Sequence, residues 1–159
     1  LALVAAPDTP KEAEARITVP EAEYAYDLSE DTPARPRKLV VHLAPGEGKV
    51  ISLLPYEVSE IAVQTAGVVQ QGRRVNFSCS VRTKKGKPGN HLLRVSFSAP
   101  GGEEIESCTE YLDAPGGTAT GYVPVVLGQV PGIYTLNVED LLSGAAASRE
   151  VKVVGLSMQ

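Results

Sequence analysis

The stretch GGTATGYVPVVLGQVPGIYTLNVEDLLSG (Gly116–Gly144) decides how the rest of the chain is read. Tyr122, Pro124 and Val126 alternate with Val123, Val125 and Leu127. After the break at Gly128 to Gly132, Tyr134, Leu136 and Val138 fall in phase. Side chains of a strand point to opposite faces in turn, so period-two alternation of β-branched and aromatic residues predicts two half-buried strands joined by a turn. The pair is expected at the centre of a β-sandwich.

The same pattern recurs on either side. Ile61 and Val63 mark one strand, Val75, Phe77, Cys79 and Val81 a second, and Leu93, Val95 and Phe97 a third. Ile105 to Leu112 is expected as a fourth, and Val151 and Val153 close the set on a seventh. Gln71-Gly72, Gly86 to Asn90, Pro100 to Gly102, Pro115 to Gly117, Pro131-Gly132 and Ser143-Gly144 punctuate them. The predicted fold is all-β: a seven-stranded immunoglobulin- or fibronectin-like sandwich over residues 57–156, with a tail at 157–159. The Trp of antibody domains is absent.

Pro55-Tyr56-Glu57-Val58 marks the boundary with an additional N-terminal β-sheet segment, residues 1–56. Its expected strands include LALVAA from Leu1, Ala15 to Val19, and Tyr24 to Leu28. Glu30 to Pro36 is a proline-rich turn region. Lys38 to Leu43 and Lys49 to Leu54 flank a hairpin loop at residues 44–48. Ile17, Val19, Val41, Leu43, Ile51 and Leu53 would leave an apolar face that needs a cover, either the 57–156 sandwich or a second copy in a homodimer through residues 1–56.

Composition narrows the function. A net charge of −4 over 159 residues argues against nucleic acid as a partner. No apolar run reaches the roughly 20 residues that span a bilayer, so no membrane insertion is expected. The chain starts with Leu1 rather than Met, which is read as a cut inside a longer protein.

No catalytic, cofactor or metal constellation stands out. Glu103-Glu104-Glu106 follow a glycine turn and read as solvated hairpin residues, and Glu139-Asp140 as the cap of a turn. His42 and His91 lack Cys or carboxylate partners at metal-ligand spacing. Cys79 shares the apolar phase of its strand, whereas Cys108 is one step out of phase with Ile105 and Tyr111. Two free thiols are the favoured reading; a single bridge stays open. The candidate ligand-binding residues are the basic loop with Arg82, Lys84, Lys85 and Lys87, suited to an anionic polysaccharide, and Tyr24 with Tyr26, two residues apart on one face, as a small stacking platform.

Two resemblances cover most of the chain. Gly89 to Val95, Ala99 to Gly102, the strand from Gly116 to Leu127, and Pro131 to Asp140 with Ser143-Gly144 resemble immunoglobulin-like, macroglobulin-type modules near the C-terminus of large exported bacterial proteins. Tyr24 to Leu28, Leu43 to Gly46 and Ile51 to Tyr56 are similar to the last strands of β-domains that follow catalytic domains in glycoside hydrolases. The resemblance implies no enzymatic activity, no cofactor, and an extracellular, periplasmic or cell-surface setting. It implies a structural or spacer module that packs against or presents neighbouring domains of the same polypeptide.

Overall fold

The computed structural model describes residues 1–8, 11–18, 24–28, 35–36 and 38–156. The chain is all-β and divides into two compact units. The first comprises Leu1–Val58 with Thr83–Lys87 and Leu142–Gly144, the second Ser59–Arg82, Pro88–Leu141 and Ala145–Gln159.

The first unit holds β1 (Ala2–Val4), β2 (Ala13–Thr18), β3 (Tyr24–Asp27), β4 (Arg35–Pro36), β5 (Lys38–Leu43) and β6 (Gly48–Leu54). They form a four-stranded sheet, β1-β6-β3-β4, and a two-stranded sheet, β2-β5. The expected hairpin across residues 44–48 is therefore corrected, because β5 and β6 belong to different sheets. The connection is a tight turn in which the Glu47 N–H donates to the Ala44 carbonyl at 2.9 Å. Pro45 sets φ at its first corner and Gly46 takes φ +77° at the second, the signature of a type II turn. That turn carries the chain from one sheet to the other.

The apolar residues consequently cover one another. Val41 and Leu43 from β5 cluster with Ala25 and Ile51 of the four-stranded sheet, with Ile17 and Leu53 packed against them. The face expected to need a cover, either the 57–156 sandwich or a second copy through residues 1–56, is closed inside the unit, and its burial requires neither. Val19 and residues 30–34 of the proline-rich turn lie outside the described residues.

The second unit holds β7 (Val58–Thr65), β8 (Val68–Gln70), β9 (Arg74–Thr83), β10 (His91–Ser98), β11 (Glu110–Ala114), β12 (Thr118–Pro124), β13 (Gly132–Asp140) and β14 (Ala146–Val154). Its sheets run β12-β9-β7 and β11-β10-β13-β14-β8. Every second residue is buried on β9 (Val75, Phe77, Cys79, Val81), on β10 (Leu93, Val95, Phe97) and on β13 (Tyr134, Leu136, Val138). The Phe97 and Tyr134 rings stack with centroids 5.1 Å apart.

Three differences from the sequence reading follow. The two strands of Gly116–Gly144 do not pair: β12 bonds to β9 and β13 to β10 and β14. Val125 stays tied to Arg73 and Gly72 by backbone hydrogen bonds, and the chain then arches over Gly128 to Pro131 into the other sheet. The fourth strand begins at Glu110 rather than Ile105, because Glu106–Cys108 form a 3-10 turn. Finally β8, unrecognised in the sequence, pairs in parallel with β14.

Candidate functional site

Two ionisable side chains meet in the second unit. His91 opens β10 in phase with Leu93 and Val95, and Asp140 closes β13 in phase with Leu136 and Val138. Leu93 lies opposite Asp140 in the ladder, so His91 and Asp140 are diagonal neighbours on one face, a spacing long side chains bridge. His91 Nδ1 lies 2.9 Å from Asp140 Oδ1, and both side chains are 0% exposed. The loop beyond is pinned by the Asp140 N–H to the Ala145 carbonyl and by the Leu141 N–H to the Leu92 carbonyl, at 2.8 and 2.9 Å. Among the described residues, no buried side-chain nitrogen or oxygen is without a hydrogen-bond partner.

A carboxylate on a histidine nitrogen fixes the ring and its tautomer, which is half of an acid–base constellation. The other half would be a nucleophile within reach. Cys79 does not fill that role: its thiol donates to the Ala119 carbonyl at 3.5 Å, and burial pushes its pKa above the usual thiol value. Both cysteines are free thiols.

The sequence showed no partner for His91 at metal-ligand spacing and read Glu139-Asp140 as the cap of a turn. The structure separates that pair, since successive strand residues face opposite sides and Asp140 alone is buried. A signal was present: His91 and Asp140 each extend an apolar alternation by one step, so each had to point inward.

The other acidic cluster is spoken for. Glu104 accepts hydrogen bonds from Thr109 Oγ1 at 2.9 Å and from Arg94 Nη2. The Thr109 bond leads in holding its carboxyl below the ordinary value. A general acid needs the opposite shift.

The basic loop does not present four free cations. Arg82 pairs with Glu60 at 3.5 Å and Lys84 with Glu57 at 2.6 Å. Lys85 and Lys87 remain exposed on a turn closed by Thr83 Oγ1 donating to the Gly86 carbonyl. The Tyr24–Tyr26 platform is corrected outright. Tyr26 is 4% exposed and belongs to a cluster with Leu54 and Tyr56 against which Tyr24 also packs. Its hydroxyl oxygen accepts the Val58 N–H at 2.7 Å, so its ring faces the core rather than a sugar. The sequence also missed a buried ion pair in the first unit, Asp27 with Lys49 at 3.6 Å.

Among the described residues, no group of three or more His, Cys, Asp or Glu could hold a metal ion, and no helix is long and apolar enough to cross a membrane.

No protein-family model matches this chain, and no curated protein matches it. Among solved structures it is similar to a superoxide reductase (neelaredoxin) from Ignicoccus hospitalis, with a TM-score of 0.43 and 14% identity over 61% of this chain and 82% of that one. That protein is an enzyme, and the expectation that this chain is not one is withdrawn on that finding. At this level of likeness no chemistry, cofactor or site residue passes to this chain.

Proposed function

We propose that residues 59–156 are an immunoglobulin-like module and residues 1–58 the β-rich tail of a preceding domain. Together they act as a structural segment that packs against or presents neighbouring domains of an exported bacterial protein. The observation that carries the reading is a tyrosine corner. The Tyr134 hydroxyl donates to the Val130 carbonyl at 2.8 Å, at the bend where the chain passes from one sheet to the other. Such a corner, at the start of the sixth strand, is a hallmark of immunoglobulin-like sandwiches.

Strand order supports the same reading. β7, β9 and β12 correspond to the first, second and fifth strands of that fold, and β10, β13 and β14 to its third, sixth and seventh. β11 would be an added edge strand beside β10, and β8 an added edge beside β14. Two positions beyond the corner tyrosine, where antibody domains carry the second cysteine of the inter-sheet bridge, stands Leu136. That accounts for Cys79 remaining a free thiol.

The buried polar groups fit a structural role. His91–Asp140 ties two strands, and Asp27–Lys49 joins neighbouring strands of the first unit. The test is deletion of residues 59–156 from the full-length parent protein. Loss of thermal stability in the domain preceding Leu1 is the expected result. A preceding domain that melts unchanged and keeps its activity would defeat the proposal.

A further inference from the structure

The second unit is open along one side. β11 and β12 are outermost strands of different sheets, joined by the three-residue turn Pro115–Gly117. Burial falls away from that turn along β11: Ala114 is fully buried, Leu112 half-buried and Glu110 exposed. A groove of about 680 Å³ occupies the opening, lined by Glu110 and Leu112 on one side and by Thr120, Tyr122 and Pro124 on the other.

The groove has an aromatic floor because of one glycine. A Cβ at Gly121 would sit 2.6 Å from Cζ of Phe77, so only glycine leaves that ring in contact with the strand and its edge open to the groove. The wall is an aromatic held in place. Tyr122 is 48% exposed, and the Arg74 guanidinium lies 4.2 Å from its ring centroid. Glu110 shares the inward phase of Leu112 and Ala114, opposite Val95 on β10. It makes no ion pair among the described residues, and it brings a carboxylate to an opening whose lining mixes Phe77, Leu112 and Pro124 with Asn76 and Thr120.

The edge itself selects the ligand. Over seven residues, Thr118–Pro124, β12 carries no charge and no proline before its last position. β8, by contrast, is three residues long, β11 carries Glu110 and Asp113, and β7 carries Glu60. Exposed strand edges are ordinarily blunted by charge, proline or shortness, and an unblunted one is a template for another strand. Its row of backbone donors and acceptors repeats every second residue, which only an extended polypeptide matches. We propose that this groove binds an extended peptide segment as an added strand beside β12. Alternate apolar side chains would enter over Phe77 and Leu112, and a Lys or Arg would meet Glu110.

The probe is the synthetic peptide acetyl-Thr-Val-Thr-Val-Lys-Val-Thr-amide, titrated into the ¹⁵N-labelled chain and followed by amide shifts and hydrogen exchange. Shifts confined to Glu110–Ala114 and Thr118–Pro124, with slowed exchange along β12, are expected. Glu110→Lys should weaken binding at least tenfold, and the same peptide with Glu in place of Lys should recover it. Because Glu110 is exposed, this variant keeps its fold, and its melting curve checks that it does. Tyr122→Ala should weaken both peptides. Shifts elsewhere, or affinity indifferent to Glu110→Lys, overturn the proposal. So does closure of the groove by a second copy, seen as concentration-dependent protection of the same amides without peptide. A response to laminarihexaose rather than to the peptide overturns it as well.

Discussion

Asp140 receives the ring nitrogen of His91 at 2.9 Å with neither side chain touching solvent, so each makes the burial of the other tolerable. Removing one member takes a hydrogen-bond partner away from the other inside the core. Asp140→Ala is expected to cost about 3–5 kcal/mol, the range for breaking a buried pair. The double variant His91→Leu with Asp140→Ala should lose less than the two single losses combined. Urea denaturation of the four proteins closes the cycle, and strict additivity would show that the two residues are not coupled.

The tyrosine corner gives a second, smaller expectation. Tyr134→Phe removes one hydrogen bond while keeping the stack on Phe97, and the abandoned Val130 carbonyl belongs to an exposed residue that water can serve. A loss of about 0.5–1.5 kcal/mol is expected. Phe97→Ala, which empties a fully buried site, should cost about 3–5 kcal/mol. Equal losses from the two variants would mean that burial of the Phe97 ring counts for no more than the single Tyr134 hydrogen bond.

Cys79 sets a pH dependence. Its pKa is raised from 9.0 chiefly by burial, so above the ordinary value the unfolded chain gives up the proton before the folded chain does. The contribution is fully present below 9.0 and is lost as pH rises through the folded value. Cys79→Val should therefore flatten the alkaline limb of the stability profile. Without reductant, the native protein should protect Cys79 from a thiol reagent, and the denatured chain should expose both thiols.

Glu104 behaves in the opposite sense. The hydroxyl of Thr109 and the Arg94 guanidinium favour its charged form. Its contribution is present above the ordinary carboxyl value and fades as pH falls through the lowered one. Glu104→Gln should reduce the slope of acid unfolding, and a slope identical to the parent's would contradict the contacts seen here.

In the first unit, Val41→Asp with Ile51→Asp places two charges between facing sheets, since both residues are buried in one cluster. The amide signals of the first unit are expected to collapse to unfolded positions. If they hold, β2-β5 is not packed on the four-stranded sheet.

Strand phase was legible from the residues alone. Val75, Phe77, Cys79 and Val81 are buried in the alternation their spacing requires, as are Leu93, Val95 and Phe97. Pairing was not legible, because a two-residue period says which side chains share a face and nothing about which strand lies alongside. Residues 44–48 and the break at 128–132 both read as turns between paired strands, and both lie where the chain passes between sheets. Phase also leaves open which face is inward, as Tyr26 shows. The slipped phase of Cys108 was the visible trace of the 3-10 turn at Glu106–Cys108. Val68–Gln70 is too short to show any period at all. The His91–Asp140 contact was half legible: both residues continued an apolar phase, but their meeting depends on the register of β10 against β13.

The parallel pairing of β8 with β14 has a mechanical consequence. Val68 to Gln70 lie against Lys152 to Val154, with further backbone bonds from Lys152 to Gly67 and from Gln71 to Val154. Tension drawn between the start of β8 and the end of β14 runs along both strands in opposite directions. It loads these bonds in shear, all at once, where an antiparallel hairpin pulled at its open end would release them one by one. The spacer role proposed above would be served by such a clamp. In single-molecule pulling across Gly67 and Gly155, a proline at Val69 should lower the force at which the second unit gives way.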